Sequence, residues 1–466
     1  MDKEIGLGQN TCVSTCASTC EKSIYEPNKI KPEQEAGSVI KSSYDQHISI
    51  NDAFSAREIN LENILTKNNE KLETTRMFEE LPSGGLKPSD YLRLIESHIP
   101  EELISSKNFS EIKHLASNFN NNLTSFFGFE TRLTNTEAIS DFIFAVSNEK
   151  GEREALANLM TKGKLLEKFF ERYEWQQIVN FVTAWSDTNS ILYDKILGIW
   201  FEFDSSYFLS EIPVPCVFLH TGPLHSDSKN DLQNFKWLTQ IALSILTGKK
   251  LSKKLEKSLL SCIQQLPSGA SIYEVGTMLS RSTSPIRLEV KRLLPNQIVP
   301  YLQSIGWSYD AKKLLELITD LENKVTRIVL SFDVFENGIG PRIGIECSFY
   351  PKHHDQYQFE PRWSDFLNYL VEKKLCTPEK RDGLIEYFNI ENERNFSGSV
   401  MKPLTINTKI KDDSSKTNLV RELGHIKVIY EPNHSLEAKA YFGGRIYGFS
   451  NEFTHESLQA VSQMVK

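Results

Sequence analysis

HIKVIYEPNHSLEAKAYF, residues 425–442, reads as two strands joined by a turn. Ile426, Val428 and Tyr430 alternate with His425, Lys427 and Ile429; after EPNHS, Ala438, Ala440 and Phe442 alternate with Glu437, Lys439 and Tyr441. Successive strand side chains point to opposite faces, so this hairpin has one apolar face and one charged face.

The same pattern recurs upstream, near residues 127–146, 197–219, 271–293 and 326–350. In the first pair Phe127, Phe129 and Leu133 oppose Glu130 and Arg132, and the return run carries Phe142, Phe144 and Val146. In the second, Ile199, Phe201 and Phe203 oppose Trp200, Glu202 and Asp204, while Pro213 and Pro215 leave open an edge strand, a bulge or a late start. The third sets Ile286, Leu288 and Val290 against Arg287, Glu289 and Lys291, with a weaker partner run around Gly276. The fourth sets Leu330, Phe332 and Val334 against Ser331 and Asp333, then Ile343, Ile345 and Cys347 against Arg342 and Glu346.

Helical spacing fills the intervals, as in Leu156, Leu159, Met160, Leu165, Leu166, Phe169 and Phe170, or Trp363, Phe366, Leu367, Leu370 and Val371. Ser89 is placed to cap a helix that runs to His98, and Thr377 with Pro378 to open another. Together these runs predict an α+β fold: a ten-stranded antiparallel barrel of repeated α-β-β-α units with the helices outside. The charged faces would then line a lumen; on an open sheet they would face water instead. The expected division is a disordered tail over 1–50, an N-terminal helical segment over 51–125, and the barrel over 126–466 with a closing helix at 452–465.

A net charge of −8 supplies no field for nucleic acid, so any anion site has to be a local group of Lys and Arg. No apolar run is long enough to span a bilayer and MDKEIGLGQN has no secretory core, which points to a cytoplasmic protein without membrane partners. Seven cysteines cannot all pair, and Cys216, Cys262, Cys347 and Cys376 sit in apolar segments as buried free thiols would. Cys12, Cys16 and Cys20 recur every four residues, but three thiols without a nearby histidine are a sparse metal set, and a disordered tail is the plainer reading. KKLSKKLEK suits a solvated helix face or a dock for an acidic partner, and PKHHDQYQ, with His353, His354 and Asp355, reads as a polar loop. Phosphate-loop and nucleophile signatures are absent.

In element order, residues from about 86 to 466 resemble the prenyltransferase (ABBA) barrel of the indole or peptide type. FGFETRL places Glu130 where that family has the base that takes the acceptor's proton, and AKAYF places Lys439 and Tyr441 where it has a pyrophosphate-binding lysine and a cation-shielding tyrosine. PRIGIEC keeps Arg342 but has Gly344 and Glu346 where Lys and Tyr are expected. GPRIGIEC, LCTPEKRDGL and HIKVIYEPNHSLEAKAY also resemble a group of bacterial hypothetical proteins, which adds no chemistry.

The resemblance implies transfer of an allylic isoprenoid from its pyrophosphate to an aromatic small molecule or a peptide side chain, in natural-product biosynthesis. Glu130 would be catalytic, while Arg132, Arg287, Lys291, Arg342, Lys427 and Lys439 would bind the pyrophosphate, with Trp200 and Tyr441 beside the carbocation. No cofactor is required on this reading, though magnesium could assist near Glu202, Asp204 or Asp333. A non-catalytic peptide-binding or accessory protein on the same scaffold is the alternative.

Overall fold

The computed structural model describes residues 87–449, apart from 120–122, 125, 150, 162–166, 208–211, 226–230, 282–284, 350–359, 389 and 393–415. The cysteine-bearing tail, His353, His354 and Asp355, and the expected helix at 452–465 lie outside the described residues. Those described all belong to one compact unit of the chain, Glu73–Lys466.

Ten strands close an antiparallel barrel: β1 (Phe126–Arg132), β2 (Ser140–Ser147), β3 (Ile196–Phe203), β4 (Cys216–Leu224), β5 (Ser271–Thr277), β6 (Ile286–Lys291), β7 (Arg327–Phe335), β8 (Gly338–Ser348), β10 (Lys416–Tyr430) and β11 (Glu437–Phe449). Each pairs with its predecessor, and β11 closes the ring by pairing with both β10 and β1. A short eleventh strand, β9 (Ile390–Asn392), pairs with Asn418–Val420 of β10. The sheet is therefore closed rather than open to water on its charged face.

The apolar strand faces point outward and merge with the helices into one core. Tyr91 of the helix Pro88–Ile95 packs on Phe127 at 4.9 Å between ring centroids, Phe119 on Phe144 at 4.9 Å, and Tyr387 of the helix Pro378–Tyr387 on Phe442 at 5.0 Å. Burial of this face is the main driving force for wrapping the helices around the barrel.

Thr377 caps its helix as expected, accepting a hydrogen bond from the Lys380 backbone N–H, with Pro378 at the first helical position. Ser89 does not cap: its helix begins one residue earlier at Pro88, whose fixed φ suits that position, and Lys87 stands before it. Lys253, Lys254 and Lys257 lie exposed on the helix Lys253–Gln264, a solvated face. Cys216, Cys262, Cys347 and Cys376 are free and buried. Among the described residues no helix is long and apolar enough to cross a membrane.

Three local features depart from simple alternation. β4 starts at Cys216, directly after Pro215, so the two prolines precede the strand and cost no ladder bonds. β5 carries an irregularity between Ile272 and Glu274 that shifts its parity. β10 begins at Lys416, nine residues before the alternating run at His425, and an irregularity between Leu423 and His425 reverses which residues face out. Closure also needs small residues where β1 and β11 meet. A Cβ on Gly443 would lie 2.1 Å from the Phe127 carbonyl oxygen and 2.7 Å from the Gly128 Cα, and backbone atoms there cannot move aside.

Candidate active site

Register sets the lumen out in rows. Glu130 of β1 lies opposite Asp141 of β2 on one side and Tyr441 of β11 on the other, and Tyr441 lies opposite His425 of β10. One step along, Arg132, Lys439 and Lys427 stand in register across β1, β11 and β10, with Glu346 of β8 next to Lys427. A carboxylate-tyrosine row thus borders a row of three cations.

Glu130 is 2 % exposed, and its two oxygens accept hydrogen bonds from the Lys439 ammonium and the Tyr441 hydroxyl. Burial works to raise its carboxyl, but Lys439 and the two hydrogen bonds outweigh it and hold the group well below the usual carboxylate range. Burial and the same carboxylate push the Tyr441 hydroxyl well up, so it stays a donor. The Tyr441 ring stacks on His425 at 4.2 Å, and the Lys427 ammonium lies 5.0 Å from its centroid. Burial and Lys427 push the His425 imidazole down to about 3, which leaves it neutral.

Every cation expected on the pyrophosphate has a partner. Lys427 bonds Glu346 at 2.8 Å and Glu289 at 3.3 Å; burial opposes its charge, but these carboxylates raise it above the ordinary lysine value. Arg287 makes a forked pair with Asp333 at 2.8 and 3.0 Å. Arg132 approaches Asp141 at 3.6 Å. Arg342 sits partly exposed and is held by Glu437 at 2.8 Å and Glu431 at 3.6 Å, away from the row of three. Lys291 lies over the Tyr273 ring at 5.3 Å. Gly344 and Lys427 are coupled: a Cβ at Gly344 would fall 3.1 Å from Lys427 Cδ, so the lysine stem fills space a side chain there would take.

Beside Glu202 is an apolar patch. Trp200 packs with Cys216, Phe218 and Met278 in a cluster separate from the outer core, and Phe126 meets Trp200 edge-on at 5.1 Å. Gly276 permits it, since a Cβ there would lie 2.6 Å from the Phe218 ring.

The expected magnesium ligands divide. Asp333 is committed to Arg287, and Asp204 accepts from Ser280 at 2.8 Å and Arg281 at 3.2 Å. Among the described residues, the carboxylates that converge are Glu130, Asp141 and Glu202, with one oxygen from each within 4.8 Å of the others. Burial, then the charges of Glu130 and Asp204, push Glu202 up to about 8; burial and Glu130 push Asp141 up to about 6.

This crowding has a measurable cost. A carboxyl whose folded value lies above its ordinary 4.5 favours the fold below that pH and loses the advantage as pH rises through about 8. Glu202→Gln removes the titration, so in EDTA its stability relative to wild type is expected to improve between pH 5 and pH 9 by on the order of 2 kcal/mol or more. Urea unfolding at both pH values measures it, and an equal difference at the two would show that Glu202 is not perturbed.

Asp141, Phe126, Phe218 and Met278 were not among the predicted site residues. Asp141 could have been found from parity, since it shares a face with Ile143 and Ala145 rather than with Phe142 and Phe144.

No protein-family model matches the chain, and no curated protein matches it. Among solved structures it is similar to AnaPT from Neosartorya fischeri, at 9 % identity over 79 % of this chain and 94 % of that one, with a TM-score of 0.41. The prenyltransferase PriB matches at 11 % identity over 79 % and 95 %, TM-score 0.44. The 5-dimethylallyltryptophan synthase from Streptomyces coelicolor matches at 10 % over 80 % and 99 %, TM-score 0.40. Likeness at this level carries nothing about the reaction, and the fold rests on the closed ladder itself. In architecture the chain resembles the ABBA-type prenyltransferase barrels.

Proposed function

We propose that this barrel transfers an allylic isoprenyl group from its pyrophosphate to an electron-rich aromatic or peptide acceptor. The observation that supports this best is Glu130: an ionised carboxylate inside the lumen, held by Lys439 and Tyr441, beside a row of cations.

Pyrophosphate would take the Arg132–Lys439–Lys427 row, whose rigid strands stabilise the charge that builds as the C–O bond breaks. The allylic cation would lie against Tyr441, Trp200, Phe126 and Phe218, whose ring faces favour a cation and exclude water. As the acceptor's new C–C bond forms, its displaced proton would pass to Glu130. Glu130 is a weak base while Lys439 holds it. Pyrophosphate binding would draw Lys439 toward the new anion and make the carboxylate more basic, linking binding to proton transfer.

The carboxylate partners on Arg132, Arg287, Lys427 and Lys439 favour a second reading, a peptide-binding or accessory protein whose ionic lumen performs no turnover. Incubation with dimethylallyl or geranyl pyrophosphate and a panel of indole, phenol and peptide acceptors separates the two by mass spectrometry. Gain of one isoprenyl unit with release of pyrophosphate is expected. Neither isoprenyl gain nor pyrophosphate binding on any member of the panel would leave the second reading.

A further inference from the structure

We propose that Glu130, Asp141 and Glu202 form a site for one oxygen-preferring divalent cation in the lumen wall. The side chains come from three adjacent strands, β1, β2 and β3, and all three are buried, at 2 %, 1 % and 7 % exposure.

Convergence of acids alone is not a site, and one orphaned oxygen supplies the second observation. Asp141 Oδ1 accepts from the Ser205 backbone N–H at 2.7 Å, but its Oδ2 has no hydrogen-bond partner and only the distant Arg132 guanidinium at 3.6 Å. A buried oxygen that goes unmatched is costly, and a cation within reach of all three carboxylates satisfies it. Glu130 stays available, because each carboxylate oxygen has a lone pair beyond the one used by Lys439 or Tyr441.

The three oxygens lie within 4.8 Å of one another, a bound that admits calcium, manganese or magnesium alike. Three carboxylates leave positions for water or an anionic ligand. The site does not depend on the transfer reaction, and an ion held there would neutralise the repulsion among the three acids whether or not the barrel is an enzyme.

The test uses the full chain after EDTA treatment and dialysis, titrated with Mn2+ and followed by electron paramagnetic resonance, with Ca2+ in parallel by calorimetry. About one Mn2+ per chain is expected, together with a rise in melting temperature. Glu202→Gln and Asp141→Asn should each weaken binding more than about tenfold, because affinity follows ligand charge, and should abolish the melting shift. Glu289→Gln, a lumen carboxylate outside the trio, should bind as wild type does. No Mn2+ or Ca2+ binding at millimolar concentration, or binding unchanged in both trio variants, would overturn the proposal. Either result is read without any transferase assay, so it stands apart from the fate of the proposed reaction.

Discussion

Replacing Lys427 by methionine is expected to destabilise the protein by about 3–5 kcal/mol, the range for removing one partner of a buried ion pair. The lysine stem runs past Gly344, and methionine preserves much of its apolar volume. What disappears is the ammonium that bonds Glu346 at 2.8 Å and Glu289 at 3.3 Å in surroundings less than a tenth exposed. Burial and the charges of Glu289 and Glu346 already push the nearby Glu274 carboxyl well up, with Lys427 acting against them, so the variant leaves three acids crowded without their cation. Escape requires protonation, and the loss should therefore grow with pH. Urea unfolding of Lys427→Met at pH 6 and pH 8.5 measures both effects, and pairing it with Glu346→Gln should recover part of the loss. A change below about 1 kcal/mol at both pH values would show that the network is solvated.

This network marks the boundary of what the sequence reveals. Period-two alternation identified the lumen faces because solvent side and core side differ in chemistry at every second residue, and Glu130, Lys439 and Tyr441 were found that way. Their mutual contact was not legible. Glu130 and Lys439 are 309 residues apart, and their meeting depends on how β11 registers against β1. A slip of one residue would exchange the two faces, and the irregularity after Leu423 changes parity within a single strand.

Counter-charges were hidden for the same reason. Arg287 and Asp333 were both placed on the charged face, but their forked pair requires β6 and β7 to align those two positions. The sequence therefore displayed a surplus of available cations, while the closed barrel gives Arg132, Arg287, Arg342, Lys427 and Lys439 each a carboxylate partner. Gly344, read as a missing cation, is better understood through its neighbour: Lys427 enters the space above it from β10. A lysine is present at that point in the lumen, delivered by another strand.

The second large effect is expected at Glu130. Glutamine there has the same shape and can still accept a hydrogen bond from Tyr441 or Lys439, but it cannot take up a proton. If Glu130 is the base, Glu130→Gln should lower kcat by about 10²–10⁴-fold, the usual contribution of a positioned general base, with the fold retained. Pyrophosphate affinity should move the other way or stay level, because the substitution releases the Lys439 ammonium that Glu130 holds in the free protein. That opposition distinguishes a base from a residue that merely shapes the pocket, whose loss would weaken binding and turnover together. Single-turnover rates and pyrophosphate titrations on the two proteins provide the comparison. A kcat within threefold of wild type would exclude Glu130 as proton acceptor and shift attention to Asp141, its cross-strand neighbour on β2.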